Sequence, residues 1–141
     1  MRTAARTLVL AISVSVLLAG TVQAGPGAIP LNNGQETTDA RFGGSGWFSY
    51  TIDGTEFCYD LTWRNLTAGP LAAHVHGVAD RRADAAVVIP LAVSPTTSGS
   101  TSGCVTIAAD LAAAIQANPG SYYVNVHTPM FPGGEVRGQL K

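Results

Sequence analysis

The sequence has few of the residues on which common enzyme chemistries are built. Its 141 residues include only two cysteines and three histidines. It has no Gly-x-Ser-x-Gly elbow, no reactive free thiol, and no glycine-rich strand-to-helix turn that would cradle phosphates. These absences exclude the usual acyl-transfer and nucleotide-handling classes. Charged residues make up only 12% of the chain, and eight basic side chains stand against nine acidic ones, so the basic footprint of a nucleic-acid binder is missing. Asp53, Glu56 and Asp60 are acidic, but nothing in their spacing ties any two into a catalytic pair. The apolar run Leu8 to Leu18 is shorter than the roughly 20 residues that a membrane-spanning helix needs. No internal repeat and no long linker is visible.

The short apolar run has a different use. Arg2 and Arg6 precede it and Val22-Gln23-Ala24 follows it, the order of a secretory signal with its small-residue cleavage site. Residues 1–24 are therefore predicted to be removed after Ala24, leaving 25–141 as one domain, secreted or extracytoplasmic and without membrane attachment. Removal takes two of the eight basic side chains and leaves the exported chain acidic. In an oxidising compartment the pair Cys58 and Cys104 reads as a disulfide, favoured over a thiolate metal site because the close Cys-x-x-Cys spacing of zinc sites is absent.

Period-two alternation dominates the rest. It is clearest over Glu56 to Arg64, where Phe57, Tyr59, Leu61 and Trp63 share one face. Trp47 to Ile52 precedes it across Asp53-Gly54, a hairpin signal. Further strands are predicted at Leu71 to His76, at Val87 to Val93 with Pro90 marking an edge or bulge, at Gly103 to Ile107, at Ser121 to Thr128 and at Glu135 to Leu140. The last residues of the Gly25 to Asn33 lead-in start a first strand, and Ser94 to Gly103 reads as a polar turn region. One short helix is expected over Ala108 to Ala117, stopped by Asn118-Pro119-Gly120. The expected architecture is all-β, a Greek-key-like sandwich or barrel with one short helix.

All three histidines fall in two of these strands. Alternation puts His74 and His76 on one face of the first, and His127, Asn125 and Tyr123 on one face of the second. If the strands are neighbours, three imidazoles converge, an arrangement suited to copper or, less favoured, zinc. The competing expectation is a hydrogen-bonded structural cluster. Glu135, Asp80 and Asp84 are the carboxylates that would orient such ligands, and Tyr123 and Asn125 could line their face. Arg137, on the polar side of the last strand, either holds an anion near the site or, more simply, pairs with Glu135 or another surface carboxylate. Asn65-Leu66-Thr67 matches a glycosylation sequon.

Four segments in order, Leu31-Asn32-Asn33-Gly34-Gln35-Glu36, Ala72-Ala73-His74-Val75-His76-Gly77, Tyr123-Val124-Asn125-Val126-His127-Thr128 and Phe131 to Leu140, resemble the signatures of the CHRD domain, named after chordin. The resemblance runs from about Leu31 to Leu140 and implies an extracellular all-β domain, with a protein partner as one role. It implies no established reaction. A weaker likeness joins His74, His76, His127 and Arg137 to the copper site of copper–zinc superoxide dismutases, Greek-key barrels in which copper cycles beside a guiding arginine. A fourth copper histidine and the histidine-rich zinc loop are absent. The expected role is metal binding without turnover; the alternatives are a superoxide-dismutating copper enzyme and a metal-free extracellular interaction module.

Overall fold

Alternating side chains build nearly every strand of this molecule. The structure, a computed structural model, describes residues 27–141. The predicted export signal over residues 1–24 and its cleavage after Ala24 lie outside them. The strands are β1 (Ile29–Asn32), β2 (Ser45–Asp53), β3 (Glu56–Arg64), β4 (Ala72–His76), β5 (Val87–Leu91), β6 (Gly99–Thr106), β7 (Tyr123–His127) and β8 (Val136–Gln139), with one helix, α1 (Ala109–Ala117), between β6 and β7. They form a single antiparallel sheet in the order β5-β4-β7-β8-β1-β2-β3-β6, curled into a nearly closed barrel. The all-β expectation holds.

The barrel interior takes one face of each strand. Phe57, Tyr59, Leu61 and Trp63 of β3 are buried, as their period of two requires, and meet Phe48 of β2 and Val75 of β4. α1 adds Ala112 and Ile115 to this core. β2 and β3 are joined by a tight turn at Gly54 and Thr55, one residue beyond the expected pair; Gly54 supplies the left-handed backbone (φ +57°) that such a turn demands.

The free edges are β5 and β6. Pro90 lies on the first, where its missing N–H costs least. The segment between the edges is tied down by Ala92 N–H donating to Tyr59 Oη (2.9 Å) and Trp63 Nε1–H donating to the Thr96 carbonyl (2.7 Å). β6 begins at Gly99, so Gly99 to Ser102, expected as turn, belongs to the sheet. Ser100 and Ser102 there pair with Thr62 and Asp60 on the barrel's polar outside, and the segment carries no apolar alternation to reveal it.

Cys58 and Cys104 are direct cross-strand partners on β3 and β6, with Cα atoms 4.0 Å apart, and they form the disulfide. It staples the edge strand across a separation of 46 residues. A Cys58→Ala/Cys104→Ala variant should lose about 4 kcal/mol of stability in the chain-entropy account, read as a lower denaturant midpoint, with a steeper slope because the uncrosslinked unfolded chain exposes more surface.

One part of the sheet departs from the simple inside/outside rule. The outward side chains of β7 and β8 are also buried: Asn125 is 1% exposed and Arg137 0%. Two loop segments cover them, 77–86 and 33–40. Backbone bonds tie the first of these down, from Gly77 N–H to the Ala86 carbonyl (2.9 Å), from Ala79 N–H to the Ser121 carbonyl (3.0 Å) and from Arg82 N–H to the Gln35 carbonyl (3.2 Å). The result is a second, polar layer against β4, β7 and β8, and it contains the histidines.

Candidate metal centre

β4 and β7 are antiparallel neighbours, paired His74 to Asn125, His76 to Tyr123 and Ala72 to His127. All three imidazoles therefore stand on the outer face of adjacent strands. One nitrogen from each ring lies within 4.8 Å of one from each of the others. The closest approach is His74 Nδ1 to His127 Nε2, 3.1 Å.

Two of the three rings have their tautomer set by backbone. His127 Nδ1 is 2.9 Å from the Pro132 carbonyl and His76 Nδ1 is 2.8 Å from the Ala85 carbonyl. A carbonyl only accepts, so each Nδ1 carries the proton and each Nε2 keeps a lone pair. The His127 lone pair faces His74. The His76 Nε2 is buried and has no hydrogen-bond partner among the described residues.

Two of the rings, His74 and His127, are pushed toward the neutral form. Burial, with His127 and then His76 beside it, pushes His74 down to about 4. Burial also lowers His127, partly offset by the Pro132 carbonyl. Neutral imidazole is the metal-binding form.

The other residues singled out from sequence take different places. Glu135 is fully buried, but its carboxylate accepts from Thr67 N–H (2.9 Å), Thr67 Oγ1 (2.7 Å) and Thr128 Oγ1 (2.7 Å) rather than from a histidine. Asp84 accepts from Thr37 Oγ1, and Asp80 contributes only its main-chain carbonyl, to Arg137. Backbone carbonyls, not carboxylates, are what orient the imidazoles. Asn125 sits directly across from His74 with its Oδ1 unpartnered.

Arg137 makes neither a surface ion pair nor an exposed anion site. It is fully buried, and its guanidinium donates to the carbonyls of Ala83 (2.8 Å) and Asp80 (2.8 Å) and to Gln139 Oε1. It lies 3.3 Å from the centroid of the Tyr123 ring, and His76 stacks parallel on Tyr123 with centroids 4.6 Å apart. The expectation of a pairing with Glu135 fails because the segment 77–86 folds over Arg137 and supplies the acceptors itself.

Sequence reasoning passed over Glu36. It is 3% exposed, neither carboxylate oxygen has a hydrogen-bond partner, and burial raises it to about 7 despite the Arg137 charge. Its only signal was membership in the Leu31 to Glu36 segment. A second grouping, Glu56 with Cys58 and Cys104, brings possible ligand types together, but both sulfurs are committed to the disulfide.

The family model described as CHRD domain matches residues 14–140. No curated protein and no solved structure matches the chain.

Proposed function

The chain belongs to the CHRD domain family, and from that premise and the arrangement of its imidazoles we propose that it is an extracytoplasmic metal-binding protein. The ion is copper before zinc, and the ligands are His74, His76 and His127. The observation that carries this reading is the His76 Nε2, a buried lone pair without a donor beside two other imidazoles. A buried acceptor left unmatched costs about 1–3 kcal/mol, and an ion removes that cost. The 3.1 Å separation of His74 Nδ1 and His127 Nε2 suits two nitrogens about 2.0–2.1 Å from a common ion at roughly square-planar to tetrahedral angles. A hydrogen bond between those two rings accounts for the same distance, but it leaves His76 unexplained.

Three imidazole nitrogens, with no carboxylate grouped with them among the described residues, favour a metal at home with imidazole, which copper and zinc both are. Holding the ion is favoured over superoxide turnover because Arg137, the one candidate for drawing in an anion, is enclosed and fully engaged with carbonyls. The CHRD membership and the disulfide support an extracellular setting.

The test is metal content of the exported, oxidised protein beside a His74→Ala/His76→Ala/His127→Ala variant. One copper per chain in the parent and none in the variant is the expected result. Equal uptake by both would move the metal elsewhere, and none by either would leave the rings a structural cluster. A superoxide assay on the loaded parent and on His127→Ala separates binder from enzyme; the binder gives no histidine-dependent loss of superoxide.

A further inference from the structure

We infer that Tyr123 is the positioning residue of the histidine cluster, fixing both the plane and the tautomer of His76; the inference rests on the metal-binding reading for its consequence and on geometry for its substance. Two different parts of Tyr123 act on the same imidazole. Its ring lies parallel to that of His76, 5° between planes. Its hydroxyl accepts the Ala85 N–H (3.2 Å), and the carbonyl of the same Ala85 accepts the His76 Nδ1 proton (2.8 Å).

Stacking alone leaves a ring free to turn over within its plane, and a carbonyl alone aligns a ring only if that carbonyl is itself held. Tyr123 supplies both restraints. The Ala85 carbonyl stands on segment 77–86, whose main chain is fastened from the sheet side at several points. Arg137 takes the carbonyls of Ala83 and Asp80, and Gln139 Nε2 takes that of Ala79 (3.0 Å). The Arg137 guanidinium also presses on the Tyr123 ring, 3.3 Å from its centroid. Guanidinium, phenol and imidazole thus form one column from the floor of the polar layer to the cluster. With Nδ1 committed to Ala85, Nε2 is the nitrogen left for an ion, and the column sets its direction before any ion arrives. An imidazole whose proton and orientation are fixed in advance loses less freedom on ligation, the reason that outer partners of metal-bound histidines are worth roughly 10–100-fold in affinity.

The experiment compares the parent with Tyr123→Phe, which keeps the stack and removes the hydroxyl, and with Tyr123→Leu, which removes both. In the metal-free proteins, 15N chemical shifts of His76 report the tautomer without any reference to binding. The parent should show a single Nδ1–H form, Tyr123→Phe a mixture, and Tyr123→Leu a larger share of Nε2–H. Copper affinity should fall about tenfold in Tyr123→Phe and about a hundredfold in Tyr123→Leu, with an altered copper(II) paramagnetic resonance spectrum in each. If Tyr123→Phe keeps the pure Nδ1–H tautomer, Tyr123 does not position the ring. If the tautomer mixes as expected but the parent takes up no copper, the positioning stands and the metal reading falls. Should Tyr123→Leu fail to fold, Tyr123→Phe alone decides.

Discussion

Replacing Arg137 with alanine is expected to destabilise the fold by on the order of 5 kcal/mol, among the largest losses any single side chain here should produce. Its guanidinium is fully buried and donates to two main-chain carbonyls and the Gln139 amide oxygen. Hydrogen bonds from a charged donor contribute about 1.5–3 kcal/mol each, and removal strands their acceptors inside the polar layer. The alanine also leaves a cavity against the Tyr123 ring. Arg137→Lys should recover less than half, because a single ammonium cannot fork between Ala83 and Asp80. Urea unfolding at neutral pH measures both. A loss below about 1 kcal/mol for Arg137→Ala would show that segment 77–86 is held without it. Because that segment carries the Ala85 carbonyl that orients His76, copper affinity should fall in step with stability.

The place of Arg137 marks where the sequence stopped being legible. Its strand and its face were readable: Val136 and Leu140 point inward, Arg137 and Gln139 away, by a period of two. The bounds of β3 and the disulfide between Cys58 and Cys104 followed from the same alternation and from cysteine pairing. The three histidines came to adjacent strands because β4 and β7 are neighbours, a long-range pairing that alternation allows but does not dictate. What alternation could not reveal is that a polar face can itself be covered. Segments 77–86 and 33–40 have no periodicity, since they cover by donating and accepting main-chain hydrogen bonds. Polar residues on a sheet normally signal water, so Arg137 reads as a surface charge and Glu36 as nothing at all. The same blindness hid the oriented Ala85 and Pro132 carbonyls, whose position owes nothing to their side chains. Carboxylates, which are visible in a sequence, drew attention in their place.

Glu36 gives the second large effect, and its sign is distinctive. Its carboxyl is 3% exposed, neither oxygen meets a donor, and the Asn125 amide lies beside it without forming a proper hydrogen bond. Burial raises its pKa from 4.5 to about 7, with Asp84 adding to the rise and Arg137, the Thr37 N–H and Asn125 pulling it back. A group whose folded pKa lies above its unfolded value contributes stability that is complete below about 4.5 and is lost as pH climbs through 7. At roughly 1.4 kcal/mol per unit, the loss is on the order of 3 kcal/mol. His74 works the other way: lowered to about 4, it contributes stability above its ordinary 6.5 that disappears as pH falls toward 4. The two opposing slopes partly cancel in the parent, so its stability alone is uninformative. Glu36→Gln removes one of them. The glutamine amide can donate to Asn125 Oδ1 at every pH, as only the protonated glutamic acid can, so the variant should match the parent near pH 4.5 and exceed it by about 3 kcal/mol at pH 8. The difference between the two denaturation profiles, plotted against pH, should therefore rise from near zero with a midpoint between 4.5 and 7. A difference that instead falls below zero as pH rises would place the ionised carboxylate in full contact with a partner such as Arg137. Gln at this position would then destabilise the protein at pH 8 instead of stabilising it, because the polar layer would lose an ion pair on which Arg137 depends.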